Sequence, residues 1–383
     1  MNKDIIDIEN MAIYWRLKDN TSNISTNIIE NKNFRFCYDH NLLLIRQEID
    51  EKLKLTLDHI YKEAFNVGYL QDKHTFSLAY GEDLMSFILS TLNKYKYIQT
   101  ILELGCGGCY ILNKLKHKNY KVVGVDPSPI AVKAGEDKCL TVINDFYPTE
   151  KYSSKVDCIF HSDVLEHIDN PISFLRKQYE GLNDNGILII AVPDCTESIC
   201  YGDISMALHQ HINYFTINTL RRLVENAGFG ILDIRKAGYG GSLYCSAIKK
   251  AEIEVKNEKI KFDENGFFQK AKNNIIKFQK IISALSNQNK SLGFYMPLRA
   301  IPYLFSLENE IKFRLFDDTH HWHNKYFDGL NVPIENFHDL EKNPVDVIFV
   351  MSLTFDDIMK EKINKSSMNN IKVITLREVF DAI

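Results

Sequence analysis

The stretch Ile101-Leu102-Glu103-Leu104-Gly105-Cys106-Gly107-Gly108 decides the fold, because an apolar run breaks there into a glycine-rich turn. The apolar residues predict the end of a buried strand. The glycines allow the positive-φ turn and the close backbone approach that a nucleotide-like ligand needs. Apolar residues at helical spacing follow at Ile111, Leu112 and Leu115. The stretch therefore predicts a strand, a ligand-binding turn and the start of a helix.

About 20 residues further on, the run Lys121-Val122-Val123-Gly124-Val125-Asp126 predicts a second buried strand that ends in a carboxylate. An acidic residue at that place in a βαβ unit commonly accepts hydrogen bonds from ribose hydroxyls. A dinucleotide-binding fold is the obvious rival. The turn departs from its fingerprint, because the third glycine is missing and Glu103 lies inside the strand end.

This pattern resembles the class I S-adenosylmethionine methyltransferases, in which the motif hhExGxGxG wraps the methionine part of the cofactor. Glu103, Gly105, Gly107 and Asp126 stand at the corresponding positions. The resemblance implies that S-adenosylmethionine is the cofactor. It also places two residues of the same loops in the cofactor site, namely Cys106 and Pro127.

Three further segments occur in the order of the methyltransferase sheet: residues 142–146, 156–167 and 186–193. The first ends in Asp145, where the family places the acidic residue that contacts the adenine amino group, and Phe146 follows it. The second contains His161, which we expect near the cofactor or the substrate. Its Glu166 and His167 are interpreted as capping and packing groups. The third is a strongly apolar strand.

Composition limits the function of the chain. A length of 383 residues predicts two or three domains, and a 45% hydrophobic and 25% charged composition is typical of a globular protein. With a net charge of −4 and no basic stretch interleaved with aromatic residues, a nucleic-acid partner is not expected. No apolar run of membrane-spanning length and no secretory leader are recognised, so we expect a cytoplasmic protein without membrane attachment.

The domain organisation follows from these segments. We expect an N-terminal, mostly helical segment or lid over residues 1–95, a methyltransferase domain over 96–250 and a C-terminal α/β domain over 251–383. Within the first, helices are predicted over 5–17, 42–61 and 80–94, with a loop over 66–77. Tyr69 and Tyr80 either line the lid or pack in the core.

The most distinctive segment is Leu208-His209-Gln210-His211-Ile212-Asn213-Tyr214-Phe215-Thr216. A predicted helix over 220–227, a Gly-Phe stop and a Gly-Gly-Ser strand start follow it. This order resembles nucleotide-sugar methyltransferases, typified by the TDP-sugar C-methyltransferases, over roughly residues 40–380. The resemblance implies a nucleotide-activated sugar as substrate. It also places three residues on the substrate side, namely Tyr214, Gly241 and Ser242.

The C-terminal third predicts a second, smaller Rossmann-like α/β domain. A charged linker over 251–264 and a helix over 266–285 precede strands at 291–295, 311–318, 345–350 and 371–374, with a helix over 354–362 between the last two. In the family this domain helps to bind the nucleotide-sugar. Ligands lie beyond the carboxyl ends of such strands, which indicates Gly293, Tyr295 and Asp317 as substrate contacts.

No metal site is predicted. The family's N-terminal zinc module with paired CxxC motifs is missing, and the single CxxC, Cys106 to Cys109, lies inside the glycine turn. His320, His321 and His323 surround Trp322, but a solvated loop is the favoured interpretation of that cluster.

Methyl transfer from a sulfonium to an aligned nucleophile benefits from a general base, and histidine suits neutral pH. His211 matches the family's proposed base; His209 is a second candidate that orients the base or contacts substrate. The alternative is that both satisfy hydrogen bonds of the loop. The family's Tyr-x-Glu-His is replaced by Leu208-His209-Gln210-His211, which removes two groups suited to an enolate. The sequence therefore favours O-methylation over C-methylation. A non-catalytic cofactor-binding module and a methyltransferase outside sugar metabolism remain as alternatives.

Overall fold

The computed structural model describes residues 5–13, 17–19, 31–62, 75–250, 264–307, 311–365 and 370–382. The predicted loop over 66–77, as far as residue 74, and the predicted linker, as far as residue 263, lie outside these residues, as does Tyr69. The strands are β1 (Ile5–Ala12), β2 (Asn31–Asp39), β3 (Leu44–Gln47), β4 (Thr100–Leu104), β5 (Lys121–Asp126), β6 (Thr141–Asn144), β7 (Val156–Ser162), β8 (Leu182–Pro193), β9 (Asn213–Tyr214), β10 (Phe229–Lys236), β11 (Ser242–Lys249), β12 (Leu292–Tyr295), β13 (Phe313–Asp317), β14 (Ile334–Asn336), β15 (Val347–Val350) and β16 (Lys372–Thr375).

The helices are α1 (Glu51–Lys62), α2 (Thr75–Leu92), α3 (Tyr110–Lys116), α4 (Pro129–Asp137), α5 (Pro171–Gly181), α6 (Thr196–Tyr201), α7 (Ile217–Asn226), α8 (Glu264–Asn287), α9 (Pro297–Leu304), α10 (Asp356–Lys365) and α11 (Leu376–Asp381). A turn of 3-10 helix covers Leu165–His167. Within the described residues, no helix is long and apolar enough to cross a membrane.

The chain divides into two compact units, named here after their sheets. The seven-stranded unit comprises Asp39–Asp194 and Ile212–Lys261, and the five-stranded unit comprises Met1–Tyr38, Cys195–His211 and Phe262–Ile383. This division differs from the predicted boundaries at residues 95 and 250. The N-terminal strands and the segment with the two histidines belong to the unit that contains the C-terminal sheet.

The sheet of the seven-stranded unit has the order β10-β11-β8-β7-β4-β5-β6. Strand β11 is antiparallel to both of its neighbours, and the other neighbouring pairs are parallel. Along β7, Ile159 faces a core formed with α5 and α7, whereas Phe160 faces a core formed with α2. The predicted methyltransferase-type sheet is confirmed, and the carboxyl ends of β4, β5 and β7 meet at one edge.

The sheet of the five-stranded unit has the order β14-β13-β12-β15-β16, with every neighbouring pair parallel. Its core is aromatic, since the ring of Phe278 lies 5.0 Å from that of Tyr303 and 6.1 Å from those of Phe294 and Phe349. The second Rossmann-like sheet predicted from the C-terminal sequence is therefore confirmed.

The predicted N-terminal helix over residues 5–17 is wrong for the residues described. Strands β1 and β2 form an antiparallel pair, in which Ile6 and Ile8 are buried and Asp7 forms an ion pair with Arg35. This alternation has the period of a strand. The helix predicted over 42–61 is also partly wrong, because β3 comes first and α1 begins after Asp50, whose side chain accepts a hydrogen bond from the Leu53 amide (2.8 Å).

A buried tyrosine ties helix α9 to the segment Cys195–His211 inside the five-stranded unit. The Tyr303 hydroxyl donates to Asp203 Oδ1 (3.0 Å) and accepts a hydrogen bond from the Ile204 amide (3.2 Å). Tyr303 and Asp203 are both almost fully buried. The hydroxyl therefore satisfies a carboxylate and an amide that water does not reach.

We expect Tyr303→Phe to lower the free energy of unfolding of this unit by about 1–3 kcal/mol, because it leaves the buried Ile204 amide without an acceptor and removes one of the hydrogen bonds to the buried Asp203. Urea titrations followed by circular dichroism measure the change. Tyr201→Phe is the matched control, since that ring is 38% exposed and its change should stay within about 0.5 kcal/mol. Equal losses in the two variants would contradict the prediction.

Candidate active site

The glycine turn after β4 has a backbone that only glycine adopts without strain. Gly105 has φ +68° and Gly107 has φ +45°. The Gly105 amide donates to the Val125 carbonyl (2.8 Å), which holds the turn against the end of β5. A Cβ atom at Gly105 would lie 2.6 Å from Cγ2 of Val164, so the loop after β7 lies directly against this turn.

Asp126 connects the turn to the loop after β5. It is 1% exposed; its Oδ2 accepts a hydrogen bond from the Gly107 amide (2.9 Å) and its Oδ1 one from the Ser128 amide (2.9 Å). Burial raises the pKa of Asp126, and the two amide hydrogen bonds oppose that shift. Its observed role is to hold both loops in register, and its contact with a ribose stays a prediction.

Glu103 is a buried acid at the end of β4. It is 6% exposed, and within the described residues its Oε2 has no hydrogen-bond partner. Burial raises the pKa of Glu103 well above its ordinary value. A buried carboxylate oxygen without a partner, beside a turn with no room for a Cβ atom, fits S-adenosylmethionine, because the methionine part of that cofactor carries an ammonium group.

The predicted contact of Cys106 is limited to its backbone. The side chains of Cys106 and Cys109 are buried with Leu112, and their sulfur atoms lie 3.9 Å apart as free thiols. Pro127 lies in the loop that Asp126 fixes, and its carbonyl accepts a hydrogen bond from Asn144 Nδ2 (2.8 Å).

Asp145 follows β6 and closes the next loop. Its Oδ1 accepts a hydrogen bond from the Phe146 amide (2.9 Å), and its Oδ2 accepts one from the Thr149 hydroxyl (2.7 Å). The Thr149 hydrogen bond is the main cause of the lowered pKa of Asp145, with Lys151 adding to it. The Lys62 ammonium lies 5.4 Å from the centroid of the Phe146 ring. An ionised Asp145 is suited to accept a hydrogen bond from an adenine amino group, and that contact stays a prediction.

His161 lies in the core rather than on the surface of the site. It is 1% exposed, and its ring lies 5.8 Å from that of Phe174 on α5. Burial lowers the pKa of His161 to about 3, so its ring is neutral. This position does not support the predicted contact with the cofactor. The burial of His161 could have been predicted from the alternation along β7, because Ile159 and His161 share the face that packs on α5.

A polar group that the sequence reasoning missed forms at the carboxyl end of β7. The Tyr80 hydroxyl lies 3.2 Å from Asp163 Oδ2 and 3.1 Å from Ser242 Oγ, and Ser162 donates to Asp163 (3.0 Å). Asp163 has φ +54°, a conformation that clusters at functional sites in non-glycine residues. Gly240 packs on the Tyr80 ring, and Gly241 accepts a hydrogen bond from the Asp194 amide. The predicted Ser242 and Gly241 thus lie at this edge, together with Asp163.

Two predicted substrate contacts lie in cores. Tyr214 is fully buried on β9, where it pairs with Ile45 of β3. Gly293 lies within β12, and a Cβ atom there would come 2.8 Å from the Phe316 ring, so this glycine serves strand packing. Their predicted contact with substrate is not supported by these positions. Tyr295 and Asp317 do lie at the carboxyl ends of β12 and β13, as predicted.

The two histidines of the segment Cys195–His211 differ. His209 is fully buried, and its Nε2 lies 3.2 Å from the Met11 carbonyl and 3.1 Å from the Lys32 carbonyl. Because the ring is fully buried and its Nε2 lies between two carbonyls, this position does not support a catalytic role for His209, which ties this segment to β1 and β2. His211 is half-buried and its amide donates to the Leu208 carbonyl (2.8 Å). Its role as base stays a prediction.

His209 makes the five-stranded unit sensitive to acid. Burial lowers its pKa from 6.5 to about 4. In the unfolded chain the His209 imidazole is therefore protonated below about pH 6.5, whereas in the folded chain it stays neutral down to about pH 4. The free energy of unfolding should fall by about 3 kcal/mol across that window. Urea titrations from pH 7.5 to 4.5 should show a shallower fall in His209→Gln than in the wild type or in His338→Gln, an exposed control. Parallel profiles would contradict this assignment.

Gly105→Ala should abolish measurable binding of S-adenosylhomocysteine by calorimetry, because it adds backbone strain at φ +68° and a clash with Val164. The double variant with Val164→Ala removes the clash and leaves only the strain of about 1–2 kcal/mol. It should therefore regain part of the affinity. Wild-type affinity in the single variant would show that the turn does not hold the cofactor.

Comparison with known proteins agrees with this geometry. Residues 68–234 match the sequence profile of a family described as "Methyltransferase domain". A tRNA U34 carboxymethyltransferase of Sulfurimonas denitrificans is 30% identical over 151 residues, which cover 35% of this chain and 49% of that protein. The C-methyltransferase NovU of Streptomyces niveus is 23% identical over 164 residues, 39% of this chain and 38% of that protein. The chain thus spans about half or less of the length of these curated relatives.

Among solved structures, the N-methyltransferase NodS from Bradyrhizobium japonicum, in complex with S-adenosylhomocysteine, aligns with 52% of this chain and 97% of its own length, at 14% identity and a TM-score of 0.39. The assignment itself rests on the sequence match, the strand order with its single antiparallel strand, and the glycine turn held by Asp126. Residues 68–234 therefore match a methyltransferase domain, and the described part of that segment, residues 75–234, has the class I fold and a site that fits S-adenosylmethionine.

Proposed function

We propose that the protein transfers a methyl group from S-adenosylmethionine to a hydroxyl of a nucleotide-activated sugar, in the synthesis of a surface-glycan precursor, with His211 as general base. The presence of the second parallel sheet is the observation that supports a nucleotide-activated sugar as the substrate. The cofactor loops all lie in the seven-stranded unit, whereas an added sheet of this type is suited to bind a nucleotide.

The crevice of that second sheet lies where the strand order reverses, between β12 and β15. Ligands of open parallel sheets bind there, beyond the carboxyl ends of the strands. Tyr295 ends β12; its hydroxyl lies 2.8 Å from Lys362 Nζ and its ring stacks on Phe337, 4.7 Å between centroids. Helix α9 begins directly after this strand, so its amino-terminal dipole faces the same edge and favours an anion.

Two acids lie at this edge: Asp318 is paired with a lysine, and Asp317 is suited to bind sugar hydroxyls. Asp318 forms an ion pair with Lys362 and a short hydrogen bond with Tyr295. Burial raises the pKa of Asp317, and its carboxylate accepts a hydrogen bond from the Thr319 amide (2.8 Å). Tyr295 and Phe337 are themselves buried, so the groups at this edge that are suited to a nucleotide-sugar are Lys362, which can contact phosphate, and Asp317 and Asp318, which can contact sugar hydroxyls.

His211 is supported as base by the chain that follows it. Ile212, the next residue, donates its amide to the Glu166 carbonyl (2.7 Å), in the loop after β7. A general base commonly contributes about 10²–10⁴-fold to such a transfer, and histidine is suited to neutral pH. Asp163 is already hydrogen-bonded to Tyr80 and Ser162, so it is better suited to bind the acceptor than to act as the general base.

O-methylation is favoured because Leu208 and Gln210 replace two groups that would stabilise an enolate. C-methylation of a nucleotide-linked keto-deoxysugar is the second candidate, and the C-methyltransferase of Streptomyces niveus supports it. The tRNA-modifying relative is the argument for an RNA substrate, which a net charge of −4 disfavours. A non-catalytic module is disfavoured by the intact Glu103, Gly105 and Asp126.

The test is a mass-spectrometric screen of the purified chain with S-adenosylmethionine and GDP-, TDP-, UDP- and CDP-activated sugars. We expect one sugar to gain a single methyl group, and His211→Ala to lower the turnover by about 10²–10⁴-fold, as loss of a general base should. His338→Ala, at an exposed site, is the control.

The outcomes separate the alternatives. A methyl carbon bonded to carbon in the NMR spectrum of the product would replace O- by C-methylation. A product that forms equally well with His211→Ala would show that the chain is a methyltransferase and that His211 is not its general base. Binding of S-adenosylhomocysteine without methylation of any sugar nucleotide would overturn the substrate class.

A further inference from the structure

Glu166, in the 3-10 turn after β7, is a buried acid that the proposed function does not use. It is 1% exposed, and among the described residues neither oxygen of its carboxylate has a hydrogen-bond partner. Its interpretation as a capping group is therefore wrong. Native proteins rarely bury both oxygens of a carboxylate unpaired, so this group requires an explanation.

Two further groups face the same carboxylate from within the seven-stranded unit. His167 Nε2 lies 3.8 Å from Glu166 Oε1. Tyr61, on α1, packs its ring 5.6 Å from the His167 ring, and its buried hydroxyl likewise has no partner within the described residues. Burial raises the pKa of the Tyr61 hydroxyl, and the proximity of Glu166 adds to that shift. A buried carboxylate and an imidazole thus lie beside each other, and a phenol packs on the imidazole.

The backbone that carries these groups is fixed. The Asn213 side-chain amide donates to the Leu165 carbonyl (3.1 Å) and the Ile168 carbonyl (2.7 Å), and the Ile212 amide donates to the Glu166 carbonyl. Within the described residues, the ion pairs of Glu166 are limited to His167, so no lysine or arginine there neutralises it. A rigid turn that buries an unneutralised acid beside an imidazole has the character of a ligand site.

We propose that Glu166 and His167 bind a divalent metal ion, with the Tyr61 hydroxyl beside it. Two ligand atoms 3.8 Å apart can share an ion that lies about 2.1 Å from each. An oxygen and an imidazole nitrogen suit Mn²⁺, Mg²⁺ or Zn²⁺ and not a soft ion. So few protein ligands leave coordination positions for water or an acceptor hydroxyl. This site does not depend on the acceptor being a sugar.

The test uses the full chain after dialysis against EDTA and titrates it with Mn²⁺ alone, measuring free Mn²⁺ by electron paramagnetic resonance. We expect one Mn²⁺ per chain in the wild type. Glu166→Gln keeps the size of the side chain and should weaken binding by about 100-fold or more, because it removes the charged ligand. Glu180→Gln, whose carboxylate is 64% exposed on α5, is the matched control and should bind as the wild type does.

Unaltered S-adenosylhomocysteine affinity in Glu166→Gln would show that the variant is folded, and His167→Gln provides a second, independent loss of a ligand. A drop in Mn²⁺ affinity in both variants supports the site. If the wild type binds no Mn²⁺, or if both variants bind it as tightly as the wild type does, the metal site is overturned. The buried carboxylate is then a protonated core group.

Discussion

The two hydrogen bonds that Asp126 accepts from Gly107 and Ser128 are the constraint on which the rest of the methyltransferase domain depends. A glycine turn has many conformations in the unfolded chain, and the carboxylate selects one of them. The same bonds align the loop after β5 with the turn after β4. Because Val164 packs on Gly105, the loop after β7 is aligned in turn. Three loops of the site thus take their positions from one buried acid.

The sequence predicted this part of the protein well, for a physical reason. Buried parallel strands appear in the sequence as apolar runs, and each run ends in or is followed by an acid at the edge of the candidate site, such as Glu103, Asp126 or Asp145. The signal is local, so spacing along the chain is enough to find it. The second sheet was predicted on the same basis, and all four of its predicted strands are present.

The predictions are wrong where the local sequence pattern does not determine the structure. Residues 5–12 are apolar at several spacings, and only pairing with β2 selects a strand. The sequence makes His209 a candidate to orient the base or to contact substrate, whereas its environment comes from the carbonyls of Met11 and Lys32, far away in sequence. Asp163 and Glu166 were missed or undervalued for the same reason, since their burial and partners depend on tertiary contacts.

Each unit is assembled from separate pieces of the chain, and this affects the order of events during synthesis. The five-stranded unit needs residues from the first 38, from Cys195–His211 and from beyond Phe262, so its first strands leave the ribosome long before the sheet on which they depend. The apolar faces of β1 and β2 must wait for partners such as Phe267 on α8, which packs on Phe36. Contacts of such high sequence separation form slowly and expose strand edges meanwhile. The apolar faces of β1 and β2 therefore stay uncovered in the nascent chain until the later segments of the unit have been made.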